Sequence, residues 1–292
     1  MTDFKEGQRP MGVEVPYPVR GLWVREVITA PGFRDETTRV MWLQGPSWYA
    51  DLRVAIDRPE RAGAEGFAAY ADDELVAMAR VQGFAGQLRV EDGICYWRRD
   101  VDFQPPSPFP DEGRYSVTDD IMIEDGIHAD YQEIWRRAPD SIAPAAAFQR
   151  LDEDGRAGLL VIAGGYMIEF VARAGERPEG ESLAHVVEAA LAAGDRARAE
   201  DLLSTCIRFA ERGVDGAWIT TLSSLPWLQG RPVWAPGAAR FDAEAGLLTI
   251  GLLTSGLGSA PDRWRLLEAS APLGEILGWL GALEDSTLGV TP

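Results

Sequence analysis

The chain has 292 residues with 46 acidic and 28 basic side chains, a formal net charge of −18 and 46% hydrophobic residues. That length suffices for two modest domains or one large β architecture with a real core. The negative field excludes nucleic acid and anionic membranes from the expected partners, and no apolar run approaches the roughly 18 residues of a membrane span.

The start, "MTDFKEGQRPMGVEVPYPVRG", is polar and rich in Pro and Gly. It lacks the basic-then-apolar pattern of a secretory signal, so residues 1–18 read as a flexible tail and the expected location is the cytoplasm. Lys5 is the sole lysine and asparagine is absent, a bias that points to a GC-rich, bacterial genome and excludes N-glycosylation. Cys95 and Cys206 each lie in an apolar segment with no Cys-x-x-Cys spacing, which reads as two buried free thiols in a reducing compartment.

From the tail onward the first half reads as β. Stretches rich in Val, Ile, Trp and Tyr recur: "GLWVREVI" (21–28), "RVMWLQ" (39–44), "WYADLRVAI" (48–56), "GQLRV" (86–90), "ICYWRRDVDF" (94–103), "RYSVTDDIMIE" (114–124) and "HADYQEIWRR" (128–137). Between them stand turn signals such as "APG", "EDG" and "PPSPFPDEG". This spacing predicts an antiparallel barrel or sandwich rather than βαβ units. One helix interrupts it, with Asp72 or Asp73 as the N-cap ahead of Leu75, Met78 and Ala79.

The second half repeats the theme. Residues 145–173 read as two strands around an "EDGR" turn. An amphipathic helix over 182–193 follows, its apolar side formed by Leu183, Val186, Val187, Ala190 and Leu191, with Ser182 to start it and Gly194 to end it. "LLSTCIRFAERG", "GAWITTLSSLPWLQGR", "GLLTIGLL" and "DRWRLLEA" are strand-like, and "APLGEILGWLGALED" suggests a short closing helix.

The blocks "WLQGPSWYADLRV", "CYWRRDVDFQP", "DYQEIWRR", "GLLVIAGGYMIEF" and "WITTLSSLPW" resemble a group of poorly characterised bacterial proteins and, more distantly, fungal proteins built from two lipocalin-like (calycin) barrels. The resemblance implies an all-β chain of two antiparallel barrels, 19–140 and 141–292, joined by one or two short helices. It carries no active site, and "GLWVR" matches the lipocalin Gly-x-Trp signature only loosely.

Familiar catalytic motifs are missing. A P-loop, a Rossmann glycine motif and a Gly-x-Ser-x-Gly elbow are all absent, and Lys5 lies in the tail, so no nucleotide, nicotinamide or pyridoxal cofactor is expected. His128 and His185 cannot make a three-His zinc site. A site through Glu124, Asp125, His128 and Asp130 competes with a solvated turn, and no metal is expected.

The chemistry-bearing residues sit on strand faces. Tyr49, Asp51 and Arg53 share one face of their strand; Tyr96, Arg98 and Asp100 share another; Tyr131, Glu133 and Trp135 a third. Each face is either a wet outer wall or the lining of a lumen, and periodicity alone leaves that open. As a lumen, they predict a small apolar molecule bound by Tyr49, Arg53, Tyr96, Arg98 and Trp135, its polar or acidic end fixed by Arg53, Arg98 and Glu133. A cofactor-independent lyase, isomerase or cyclase would use Asp51 or Glu133 as base and Tyr131 or Tyr49 as relay, with Arg53 or Arg98 facing the developing negative charge. An interaction module without ligand, or a homodimer, is the remaining reading.

Overall fold

The computed structural model describes residues 14–151, 155–175, 177–235, 237–251, 261–281 and 283–284. The first sheet holds β1 (Gly21–Ala30), β2 (Phe33–Asp35), β3 (Arg39–Gln44), β4 (Trp48–Val54), β5 (Gln82–Glu91), β6 (Ile94–Asp102), β7 (Glu112–Thr118), β8 (Ile121–Gly126) and β9 (Gln132–Arg137). Neighbours run antiparallel, and β9 returns to pair with β1. Eight strands, β1 and β3 to β9, thus close a barrel, with β2 appended to the end of β1. An eight-stranded barrel is just wide enough for its own side chains to fill.

The second sheet contains β10 (Ala145–Arg150), β11 (Gly158–Ala163), β12 (Tyr166–Val171), β13 (Cys206–Arg212), β14 (Trp218–Ser223), β15 (Ala239–Asp242), β16 (Leu247–Ile250), β17 (Asp262–Ala269) and β18 (Leu283–Glu284). Its order is β14-β13-β12-β11-β10-β17-β16-β15-β18, and no ladder closes it among the described residues. It wraps a core of its own that includes Phe148, Trp218, Phe241 and Trp264. Four short helices complete the described chain: α1 (Asp72–Met78), α2 (Leu183–Ala192), α3 (Arg196–Leu202) and α4 (Leu273–Leu280). None is long and apolar enough to cross a membrane.

Several local expectations need correction. Residues 114–124 are not one strand; β7 and β8 are split by a turn in which Asp119 takes a positive φ of 54°, a conformation Asp tolerates better than most residues. Residues 145–173 form three strands, because a second reversal at Gly164 separates β11 from β12. Gly164 has φ 57°, and the Asp140 carbonyl fills the place of a Cβ, so only glycine fits. The N-cap of α1 is Ala71 rather than Asp72 or Asp73, and its amide donates to the Glu74 carboxylate at 2.7 Å. Helix α3 escapes sequence reading because it is short and polar, burying only Ala199 and Leu202. In α2, Ser182 Oγ accepts from the His185 amide at 3.2 Å.

The two sheets meet through the apolar face of β4. Ala50, Leu52 and Val54 join Leu22 and Leu43 of the barrel in one buried cluster with Val161, Ile168, Phe170 and Ile207 of the second sheet. Each large apolar side chain so buried stabilises by about 1.5–3 kcal/mol. Two polar fasteners cross the seam. Glu268 on β17 accepts from the amides of Ser47 and Trp48, both at 3.2 Å. Gln104 donates to the Ala79 and Val81 carbonyls and accepts from the Leu183 amide, tying β6 to the ends of α1 and α2. With the apolar face of β4 consumed by this seam, its Tyr49, Asp51 and Arg53 face turns into the barrel.

Candidate functional site

Strand alternation divides the barrel interior into two layers. The floor is apolar, built from Trp23, Trp42, Leu88, Cys95 and Met122 and closed from below by Val15 and Val19. Trp23 donates its indole N–H to the Val19 carbonyl at 2.7 Å, and Trp42 meets Trp97 and Trp135 edge-on with centroids 5.5 and 5.7 Å apart.

The upper layer is charged. Arg53 Nε donates to Asp51 Oδ1 at 2.9 Å, with the Asp51 side chain only 2% exposed. Arg25 on β1 donates to Glu133 Oε1 at 2.6 Å and to Asp35 Oδ2 at 3.2 Å. Arg99 on β6 is shared by Asp111 at 2.6 Å and Asp102 at 3.1 Å. Both Arg53 and Arg99 lie over the Phe84 ring, with guanidinium carbons 5.1 and 3.5 Å from its centroid. Tyr131, at the rim, donates to Glu124 Oε1 at 3.2 Å.

Burial governs the protonation states here. The Glu124 carboxyl is pushed up to about 8, first by burial and then by the neighbouring Glu133. Asp51 is also raised by burial, against the pull of Arg53. The Tyr131 hydroxyl is pushed well above its usual range by burial and by Glu124. At neutral pH the layer therefore holds a protonated carboxyl beside paired ions.

The enclosed space among Asp51, Asp111, Glu124 and the surrounding tryptophans is about 20 Å³, room for about one water. Side chains fill most of the lumen in this structure. Larger spaces open at the mouth. One, of about 330 Å³, is bounded by Arg25, Phe33, Thr38, Arg53, Arg80 and Gln82, with Asp35 also at its wall and paired to Arg25, within the size range of small-molecule sites. Arg80 is exposed there and has no ion-pair partner among the described residues, whereas Arg53 is held by Asp51 and feels the charges of Glu133 and Asp111.

Of the residues singled out from sequence, the structure brings Asp51, Arg53, Tyr131 and Glu133 together in the charged layer, with Trp135 as wall and Tyr49 in the floor. Tyr49 donates to the Arg98 carbonyl at 3.4 Å. Tyr96 and Arg98 do not join them. The alternation of β6 turns Cys95, Trp97 and Arg99 inward, leaving Tyr96 outside under Arg89 and Arg98 outside against Asp100. Sequence reasoning missed Arg25, Arg99 and Asp111, and it considered Glu124 only as a metal ligand or part of a solvated turn. For Arg99 the signal was its two-residue step from Trp97. His128 lies at the surface, 3.2 Å from Glu112, and among the described residues no group of three or more His, Cys, Asp or Glu side chains could hold a metal.

Fold and site together define a β-barrel protein with a packed apolar floor and a charged, arginine-lined mouth. No protein-family model matches the chain, and no curated protein does. Its backbone is similar to the crystal structure of an uncharacterized protein, YLR301w, from Saccharomyces cerevisiae, at 11% identity and a TM-score of 0.48, covering 86% of this chain and 99% of that one.

Proposed function

We propose that this chain is a cytoplasmic, lipocalin-like small-molecule-binding protein of bacterial type whose ligand sits in the mouth of the first barrel, not in its lumen. The acidic end of the ligand meets Arg53 and Arg80, with Thr38 and Gln82 as hydrogen-bonding neighbours, and its apolar part rests on Phe33 and Ile28. The observation that carries this reading is Arg80, exposed and without an ion-pair partner among the described residues, beside Arg53 in a pocket of about 330 Å³ on a chain of net charge −18. Arginine suits the role because its planar fork holds a carboxylate with two parallel bonds.

Calorimetric titration with octanoate tests it. Arg80→Ala should weaken binding about tenfold, and raising the salt should weaken it further. Wild-type protein that fails to bind octanoate or other small acids, or an Arg80→Ala variant that binds them equally well, would overturn the proposal.

One observation favours a second reading, acid–base catalysis without a cofactor. Glu124 keeps its proton near neutral pH and touches Tyr131, as a general acid and its relay would. In that case Glu124→Gln abolishes turnover while octanoate binding persists.

A further inference from the structure

A second cavity, of about 350 Å³, opens beside β6, between the 105–111 loop and the segment carrying Arg177. Its character differs from that of the mouth. Trp97, Pro106, Phe109 and Pro110 border it with apolar surface, and Arg98, Arg99 and Arg177 border it together with the carboxylates of Asp102 and Asp111.

Three features describe what would fit. The loop is stiffened by Pro105, Pro106, Pro108 and Pro110, each with a fixed φ, and the Phe109 amide donates to Ser107 Oγ at 3.2 Å. Phe109 is thereby held out at the rim, 68% exposed, as an aromatic anchor whose ordering has already been met by the loop. Second, the arginine charges are already answered. Arg98 makes two bonds of 2.9 Å to Asp100, and Arg177 meets Asp102 at 2.7 Å and the Gln104 carbonyl at 2.7 Å. Guanidinium groups pinned at their edges offer flat faces for stacking rather than charge for an anion. Arg99, pinned by Asp111 and Asp102, already shows this mode with its face 3.5 Å from the Phe84 centroid. Third, among the described residues the Nη1 groups of Arg98 and Arg177 make no hydrogen bond, leaving donors for an acceptor at the edge of a ring.

We infer that this cavity is a binding site for a flat, uncharged aromatic ring system with a carbonyl or ring-nitrogen acceptor on its edge, separate from the acid-binding mouth. The ring stacks between Phe109 and the guanidinium faces, and the acceptor meets Arg98 or Arg177.

The test uses coumarin, a neutral bicyclic lactone, followed by saturation-transfer NMR and calorimetry on the full chain. Coumarin should bind with sub-millimolar affinity, and δ-valerolactone, which has the acceptor without the flat ring, about tenfold more weakly. Phe109→Ala, at an exposed loop position, should weaken coumarin about tenfold, and Ser107→Trp should block it by filling the cavity. Both variants should still bind octanoate at the mouth, so the two sites stand or fall separately. No coumarin binding at millimolar concentration, equal affinity for the two lactones, or equal affinity in wild type, Phe109→Ala and Ser107→Trp would each overturn the inference.

Discussion

Glu124 on β8 and Glu133 on β9 are directly paired residues of one antiparallel ladder, and both side chains are buried in the barrel. Like charges so placed repel. Arg25 pairs with Glu133, at 2.6 Å, whereas among the described residues Glu124 makes no ion pair and is met by the Tyr131 hydroxyl, with Arg53 a weaker charge nearby. The asymmetry explains why the proton rests on Glu124.

The pH dependence follows from that proton. Burial raises Glu124 from 4.5 to about 8 in the folded chain, so the folded state binds the proton more tightly than the unfolded one. Its contribution to stability is complete below about 4.5 and is lost as pH rises to about 8. Urea unfolding at pH 5 and pH 8 should show Glu124→Gln flattening the fall by on the order of a few kcal/mol, the variant gaining on wild type at the higher pH. A wild type and variant with parallel pH profiles would show that Glu124 ionises normally.

At the seam between the sheets, Glu268 serves two backbone amides, and burial raises its carboxyl above the usual range. Glu268→Gln keeps an acceptor without the buried charge, so its melting temperature should equal or exceed that of wild type at pH 7. Glu268→Leu orphans the amides of Ser47 and Trp48 and should cost about 1–3 kcal/mol for each. Thermal melts of the two variants separate the hydrogen bonds from the charge.

Inside the second sheet, Arg208 donates to Glu169 at 2.6 Å with both side chains 1% exposed. Removing one partner strands a buried charge. Arg208→Met should therefore cost about 3–5 kcal/mol, and the double variant Arg208→Met/Glu169→Leu should recover most of it. A double-mutant cycle in urea, with Glu169→Leu as the other single variant, reads this directly; a double-variant loss equal to the sum of the two single losses would mean the pair is not coupled.

Both cysteines are free and buried, and burial pushes the Cys206 thiol up to about 12. Cys95 is raised for the same reason. A thiol reagent at pH 8 should label neither in the native chain and both in denaturant. Labelling of native protein within minutes would show that one sheet opens readily.

Much of the β content was legible in the sequence because short strands announce themselves locally. Residues 39–44, for example, match β3 end to end. Turn chemistry was less legible. The Asp119 and Gly164 reversals lie inside runs that look continuous, since a single residue with positive φ leaves almost no compositional trace. The candidate site was half legible. Asp51, Arg53 and Glu133 stood out as charges on patterned strands, but Arg25 is followed by a bulge that shifts the β1–β9 register, and Glu124 lies in what reads as a solvated acidic turn.

By itself the sequence determined that this is a strand-rich chain whose strands have two unlike faces, because side chains alternate with a period of two whatever surrounds them. Only the tertiary structure decided which face looks inward. On β4 the apolar face is taken by the second sheet, so the charged face lines the barrel; on β6 both faces are mixed, and the closing ladder turns Arg99 in and Arg98 out. Alternation is local and symmetric between the two sides of a strand. The choice between them comes from tertiary contacts, on β4 with residues more than a hundred positions away and on β6 with Trp42, Phe84 and Asp111 of the same barrel.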